Sequence, residues 1–169
     1  MSAAPDHLPD IELETLQGEP VALRDPAAAA RLVVLYRHDC AVCHLVLPVI
    51  ERVSRAFHGQ KLLTLGVSSS DADATLDTIN EHGLCFPQAL DEQGLVATAL
   101  GIDSVPALVL ADGEGAIVAR CAGLDATALS EVLLAAARLS SASEQEVRRA
   151  IEAFRLPASR PGSPVRART

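Results

Sequence analysis

The chain has 169 residues, of which 49% are hydrophobic and 21% charged, enough apolar material for one core of ordinary domain size. Fourteen Lys and Arg against 22 Asp and Glu leave a formal net charge of −8, with three Phe, one Tyr and no Trp. Such a chain lacks the basic face and the stacking surfaces that nucleic-acid binding requires. No apolar run reaches the roughly 20 residues that span a bilayer, and residues 1–10 carry no basic or apolar stretch of signal type. A cytoplasmic location with no membrane partner is the expectation. Four Cys are too few to staple a small domain, so in a reducing compartment the informative ones are expected to be reactive or metal-binding.

Residues 11–23 predict an N-terminal hairpin turning at Gln17-Gly18-Glu19, with Ile11, Leu13, Val21 and Leu23 alternating toward one face. Leu32–Tyr36 is a continuous apolar run of strand length, the pattern of a strand covered on both faces. Val46, Val49, Ile50, Val53 and Phe57 then recur at helical spacing, with Pro48 inside the helix as a source of a kink. A second apolar strand at Leu62–Val67 precedes a helix that opens at Ser70-Asp71, passes through Leu76 and Ile79 and stops at Gly83. Beyond Pro87 come a short segment at Gln88–Leu90 and a helical stretch bearing Val96, Ala99 and Leu100. Ala107–Leu110 and Ala116–Cys121, joined by Asp112-Gly113-Glu114-Gly115, form the strongest hairpin signal. Asp125 caps a helix with Leu129, Val132 and Leu133 inward, and Ser143 to Glu146 is a capping box for a last helix through Val147, Ile151 and Phe154.

This order predicts an α/β domain with a central mixed sheet flanked by helices, an N-terminal β-hairpin and an extra C-terminal helix. Its expected limits are an arm at 1–8, the domain at 9–140, the extra helix at 141–156 and a disordered tail at 157–169. The tail is rich in Pro, Ser, Gly and Arg, including Arg160, Arg166 and Arg168, with almost nothing to bury.

Cys40-Ala41-Val42-Cys43-His44 follows a buried strand and opens an amphipathic helix. A thiolate at a helix N-terminus meets unpaired N–H groups and the positive end of the dipole, which brings a thiol pKa from about 8.5 into the range of roughly 3.5–7.5. Cys40 is thus the expected nucleophile, and Cys43, one turn further on the same face, the resolving thiol. His38 and His44 flank the pair; protonated, they would lower the thiol pKa, whereas Asp39 would raise it. Cys85 and Cys121 are expected to be core residues.

The strand Leu32–Tyr36, Cys40-x-x-Cys43, Pro48 and Val105-Pro106 before a hairpin together resemble the thioredoxin family. Gly18–Asp25 leading into the first buried strand is similar to its TlpA-type and redoxin branch. The resemblance covers residues 9–137 and implies a thioredoxin-like fold with a cis Pro106 lying against the dithiol and Val105 contacting substrate. It also implies thiol–disulfide exchange, acting as a reductant on a protein or small-molecule disulfide, with an upstream dithiol donor and no cofactor. Gly123 is expected near the active-site face. Two departures stand out: Asp39 replaces the aromatic usual before the first Cys, and Val34 occupies the place of the buried acid.

Other chemistries fit the same letters less well. Cys-x-x-Cys-His also spells a c-type haem attachment site, but the only Met is Met1 and the strand-before, helix-after setting suits a dithiol. A structural zinc would want a second Cys/His pair, which is missing, so no metal is expected. Tyr36-Arg37 before the pair also resembles members of the alkyl hydroperoxide reductase superfamily, leaving a peroxiredoxin-like antioxidant role as an alternative. Against it, the position three before Cys40 holds Arg37 where Thr or Ser is usual. A redox sensor or binding module without turnover is the remaining reading.

Overall fold

A computed structural model of the chain describes residues 3–59 and 61–165. Strand β3 (Ala30–Tyr36) is buried at all seven positions, as its unbroken apolar run requires of a strand covered on both faces. It lies between β4 (Leu62–Ser68), parallel to it, and β7 (Ala107–Asp112), antiparallel to it. The β1 (Glu12–Thr15) and β2 (Pro20–Ala22) hairpin joins the sheet through β5 (Gln88–Leu90), and β8 (Ile117–Ala122) forms the far edge. The seven-stranded order is β2-β1-β5-β4-β3-β7-β8. The expected mixed sheet with an added hairpin is therefore present. Leu13 and Leu23 are buried, while Ile11 and Val21 pack on the core from its margin.

Helix α1 (Ala41–Ala56) buries Val46, Val49, Ile50 and Val53, the predicted stripe, and continues through Pro48, which lacks the N–H that would reach the His44 carbonyl. Helix α2 (Ala72–His82) starts from Asp71, whose carboxylate accepts the Ala74 N–H at 2.8 Å, and ends at Gly83 with φ 61°, a conformation Gly adopts without Cβ cost. Its buried face differs from the apolar one: Thr75 and Thr78 are inside, and Leu76 is exposed. The reason is polar. Thr75 and Ser68 share a 2.7 Å hydroxyl contact, which satisfies both groups away from water.

After the short α3 (Leu95–Leu100) come β6 (Ser104–Val105) and, past β8, β9 (Leu124–Asp125). Helix α4 (Ala126–Ser140) buries Leu129, Val132 and Leu133, and its N-terminus is closed by the Asp125 carboxylate on the Ala128 N–H at 3.0 Å. Helix α5 (Glu144–Glu152), capped by Ser143, sinks Val147 and Ala150 against α1 and α4. Phe154, expected within this helix, lies beyond its end and is partly exposed.

The picture of a loose tail does not describe residues 157–165. Ser159–Arg160 (β10) pairs antiparallel with β9, Ser163–Pro164 (β11) pairs antiparallel with β6, and Val165 is buried. Composition misleads here because the segment is held through backbone groups, which every residue supplies. Arg160 lies in β10 and is exposed; Arg166 and Arg168 lie outside the described residues.

Tyr36, at the end of β3, is fully buried and donates to Gln88 Oε1 at 2.8 Å, while Gln88 Nε2 donates to the Phe86 carbonyl at 2.9 Å. This side chain lies over Gly66 of β4, where any Cβ would stand 1.9 Å from Gln88 Oε1. Burial holds the Tyr36 phenol protonated far above its ordinary range. Removing the hydroxyl with Tyr36→Phe leaves a buried acceptor without its donor and is expected to cost about 1–3 kcal/mol of stability. Urea unfolding followed by circular dichroism checks this.

Candidate functional site

Cys40 is the N-cap of α1, with extended backbone (φ −103°, ψ 105°), and its Sγ accepts the Cys43 N–H at 3.1 Å. The sulfur thus takes the role that a Ser or Asp oxygen plays at most helix starts, and it faces the positive end of a 16-residue helix. Cys40 and Cys43 are joined as a disulfide with their Cα atoms 5.2 Å apart. Both are fully buried.

Val105 and Pro106 reach the pair from the loop that opens β7, the antiparallel neighbour of β3. The Val105–Pro106 bond is cis, as expected, and the Val105 carbonyl oxygen lies 3.6 Å from Cys40 Sγ. Gly123, at φ 70°, donates its N–H to the Pro106 carbonyl at 2.8 Å, so the β8–β9 junction closes over the same loop.

The charged neighbours are arranged differently from the sequence expectation. Asp39 is ion-paired with the Arg37 guanidinium, so its charge is offset locally instead of facing the sulfur alone. His38 is fixed by its N–H to Ser70 Oγ at 2.9 Å and by its Nδ1 against Thr78 Oγ1 at 2.9 Å. His44 has both ring nitrogens engaged, Nε2 with the His38 carbonyl and Nδ1 with His82 Nε2 at 2.6 Å. With Nε2 donating to a carbonyl, Nδ1 is the acceptor for the His82 Nε2–H. Neither contact is to a cysteine sulfur.

Two participants were not legible beforehand. Arg37, noted in the sequence only for its place before the motif, donates through Nη1 to the Pro164 carbonyl at 2.7 Å as well as pairing with Asp39. His82, from the end of α2, meets His44 across the α1–α2 contact; a histidine in a helix's last turn is the only sequence signal of it. The remaining cysteines fare unequally. Cys121 packs on the core margin, and burial raises its thiol pKa to about 11. Cys85 is exposed and does not join the core; its backbone N–H donates to the buried Glu51 carboxylate at 2.9 Å.

Among the described residues, His44, Glu81 and His82 bring three ligand-type atoms within 4.8 Å of one another. Two nitrogens bound tetrahedrally to one zinc at about 2.0–2.1 Å would stand about 3.3 Å apart. At 2.6 Å the two imidazoles are instead hydrogen-bonded to each other, so the cluster as folded is a polar clasp between α1 and α2.

The chemistry open to the site is that of a sulfur pair under a helix dipole. The sequence profile of the AhpC/TSA family matches residues 4–120. The thiol-disulfide oxidoreductase ResA of Halalkalibacterium halodurans is 26% identical over 107 residues, covering 63% of this chain and 61% of that protein's length. The thioredoxin domain of a thiol-disulfide oxidoreductase from Bacteroides vulgatus superposes with a TM-score of 0.64 at 26% identity, over 71% of this chain and 89% of that one. A putative thiol:disulfide interchange protein DsbE from Chlorobium tepidum superposes with a TM-score of 0.70 at 20% identity, over 79% and 97%, which bears on the thioredoxin-like fold alone.

The His44–His82 clasp has a pH consequence. Burial first, then the facing His44, lowers the His82 pKa from its ordinary 6.5, with Glu81 opposing. A depressed histidine pKa means that the unfolded chain takes up the proton first. The associated stability is therefore complete above about pH 6.5 and is lost as pH falls through the lower folded-state value. His82→Gln should flatten that part of a pH series of urea midpoints between pH 7.5 and 5.

Proposed function

The chain belongs to the AhpC/TSA family, and we propose that within it the chain is a thiol–disulfide oxidoreductase whose reacting groups are Cys40 and Cys43. The observation that carries the reading is a Cys-x-x-Cys pair bridged at the N-terminus of α1 and set against the carbonyl before a cis proline. The pair as folded is the oxidised form. An upstream dithiol donor reduces it by two electrons. The Cys40 thiolate then attacks one sulfur of a substrate disulfide, forming a mixed disulfide and expelling the other substrate sulfur as a thiolate. Cys43 attacks Cys40 Sγ, re-forms the internal bridge and releases the second substrate thiolate. Two electrons have passed to the substrate, and no cofactor takes part.

Helix N-terminal N–H groups lower the Cys40 thiol pKa in this reading. His38 and His44 act through space as positioning and tuning groups, and Asp39 contributes little because Arg37 neutralises it. Val105 and Pro106 form the edge on which the substrate chain rests. The substrate is a disulfide-bearing protein or small thiol compound, and the setting is the cytoplasm. No helix among the described residues is long and apolar enough to cross a membrane. The AhpC/TSA match is shared with the peroxiredoxin-like alternative; the disulfide-exchange reading is preferred because the position three before Cys40, where Thr or Ser would serve peroxide activation, is Arg37, engaged with Asp39 and the Pro164 carbonyl. The limits of residues 9–140 and 141–156 are proposed as one catalytic domain with α5 as its appended helix.

With Cys43→Ser, a small aromatic disulfide or a substrate protein should be held as a mixed disulfide on Cys40 in peptide mass spectrometry. Cys40→Ser should lower disulfide reduction to background. Trapping at Cys85 or Cys121, or wild-type rates in Cys40→Ser, would refute the assignment.

A further inference from the structure

Cys40 and Cys43 are both 0% exposed, a condition at odds with a sulfur that must be approached by another sulfur. The C-terminal segment runs across the same place. The Ala126 N–H donates to the Ala158 carbonyl at 2.9 Å, and β10 then pairs with β9 in the register Ser159 to Asp125 and Arg160 to Leu124. Past Gly162 the chain pairs with β6, Ser163 opposite Val105 and Pro164 opposite Ser104. Its far end is fastened at three points: Val165 N–H to the Asp103 carbonyl at 3.1 Å, Ser69 Oγ to the Val165 carbonyl at 2.6 Å and Arg37 Nη1 to the Pro164 carbonyl at 2.7 Å. The Val165 side chain, 8% exposed, is set among Leu35, Tyr36, Val67 and Ala97.

The covered edge is the one beside the dithiol. The Val105 carbonyl oxygen that stands 3.6 Å from Cys40 Sγ also lies against Gly162, where a Cβ would come within 2.4 Å of it. A Cβ on Gly123 would likewise meet the Arg160 carbonyl and the Gly162 nitrogen at 3.3 Å. Two glycines therefore permit the backbones to approach closely enough for the segment to lie flat over the Val105 loop. Apart from Val165 the contacts are backbone pairing and polar ties at the surface, so the segment opens at lower cost than the core.

We propose that residues 157–165 are an autoinhibitory strap: they occupy by β-pairing the edge of Ser104–Val105 on which an extended, disulfide-bearing polypeptide segment would dock, and exchange at Cys40 requires their displacement. This rests on the thiol–disulfide reading given above. The competing ligand is a segment that can offer its own backbone to Val105, with a small residue where Gly162 now sits and an apolar residue where Val165 is anchored. The closed strap reduces the observed exchange rate by the fraction of molecules that are open.

The test measures how fast excess glutathione or dithiothreitol reduces the Cys40–Cys43 disulfide in the full-length chain, by alkylation and mass spectrometry. It reads chemical attack on a bridge already formed, so it is independent of whether Cys43→Ser traps a substrate. Gly162→Val places a side chain against the Val105 carbonyl and should raise the rate about tenfold or more, in proportion to the population opened. A synthetic peptide of residues 157–169 should slow the variant again. A chain ending at Leu156 should match the fast variant. Equal rates in the wild type and both variants would overturn the proposal; if the shortened chain does not fold, the Gly162→Val rate decides.

Discussion

The antiparallel register of β3 on β7, in which Leu35 stands opposite Ala107, brings the residues just before β7 to the end of β3, where the chain turns into α1. That pairing sets Cys40 Sγ 3.6 Å from the Val105 carbonyl oxygen. Both strands are buried almost throughout, so a one-residue slip would exchange the side chains packed on their two covered faces and disrupt the packing on both. The dithiol is thereby held between the N-terminus of α1 and the Val105–Pro106 loop.

Around that fixed centre the polar residues act as fasteners. Tyr36 and Gln88 lock the end of β3 to β5 across Gly66, and Ser68 with Thr75 binds α2 to β4. His38, His44 and His82 form a second set, tying the turn before Cys40 and the first turn of α1 to the last turn of α2. Burial of such groups is tolerated because each has a partner; removing one partner exposes the desolvation cost of the other. The α1 N-terminus is thus braced against α2 as well as against the Val105 loop, which preserves the geometry a helix-capping sulfur needs.

Most of this architecture was legible because it depends on apolar periodicity. The unbroken run at Leu32–Tyr36, the stripe from Val46 to Phe57 and the turn at Asp112–Gly115 each correspond to elements of the fold. The dithiol and cis Pro106 were legible through a resemblance, since spacing alone leaves haem and zinc open. What escaped the sequence are contacts made by groups with no periodic signature. Thr75 and Thr78 replace Leu76 on the buried face of α2, the Cys85 backbone is tied to the buried Glu51 carboxylate while its thiol stays exposed, and residues 157–165 are bound through backbone pairing that a Pro- and Gly-rich composition conceals. Arg37 illustrates the point: its position beside the motif was evident, but its hold on Pro164 depends on a segment 127 residues away.

The central claim is that the Cys40–Cys43 bridge is a redox centre and not a structural crosslink, and its reduction potential separates the two most directly. Equilibration of the full-length chain in glutathione or dithiothreitol buffers, with each cysteine followed by mass spectrometry, should give one two-electron transition confined to Cys40 and Cys43. Its midpoint should fall between about −270 and −120 mV, the span of exchanging Cys-x-x-Cys proteins. A bridge that stays closed below about −300 mV, as structural disulfides do, or one that equilibrates with Cys85 or Cys121, would contradict the account.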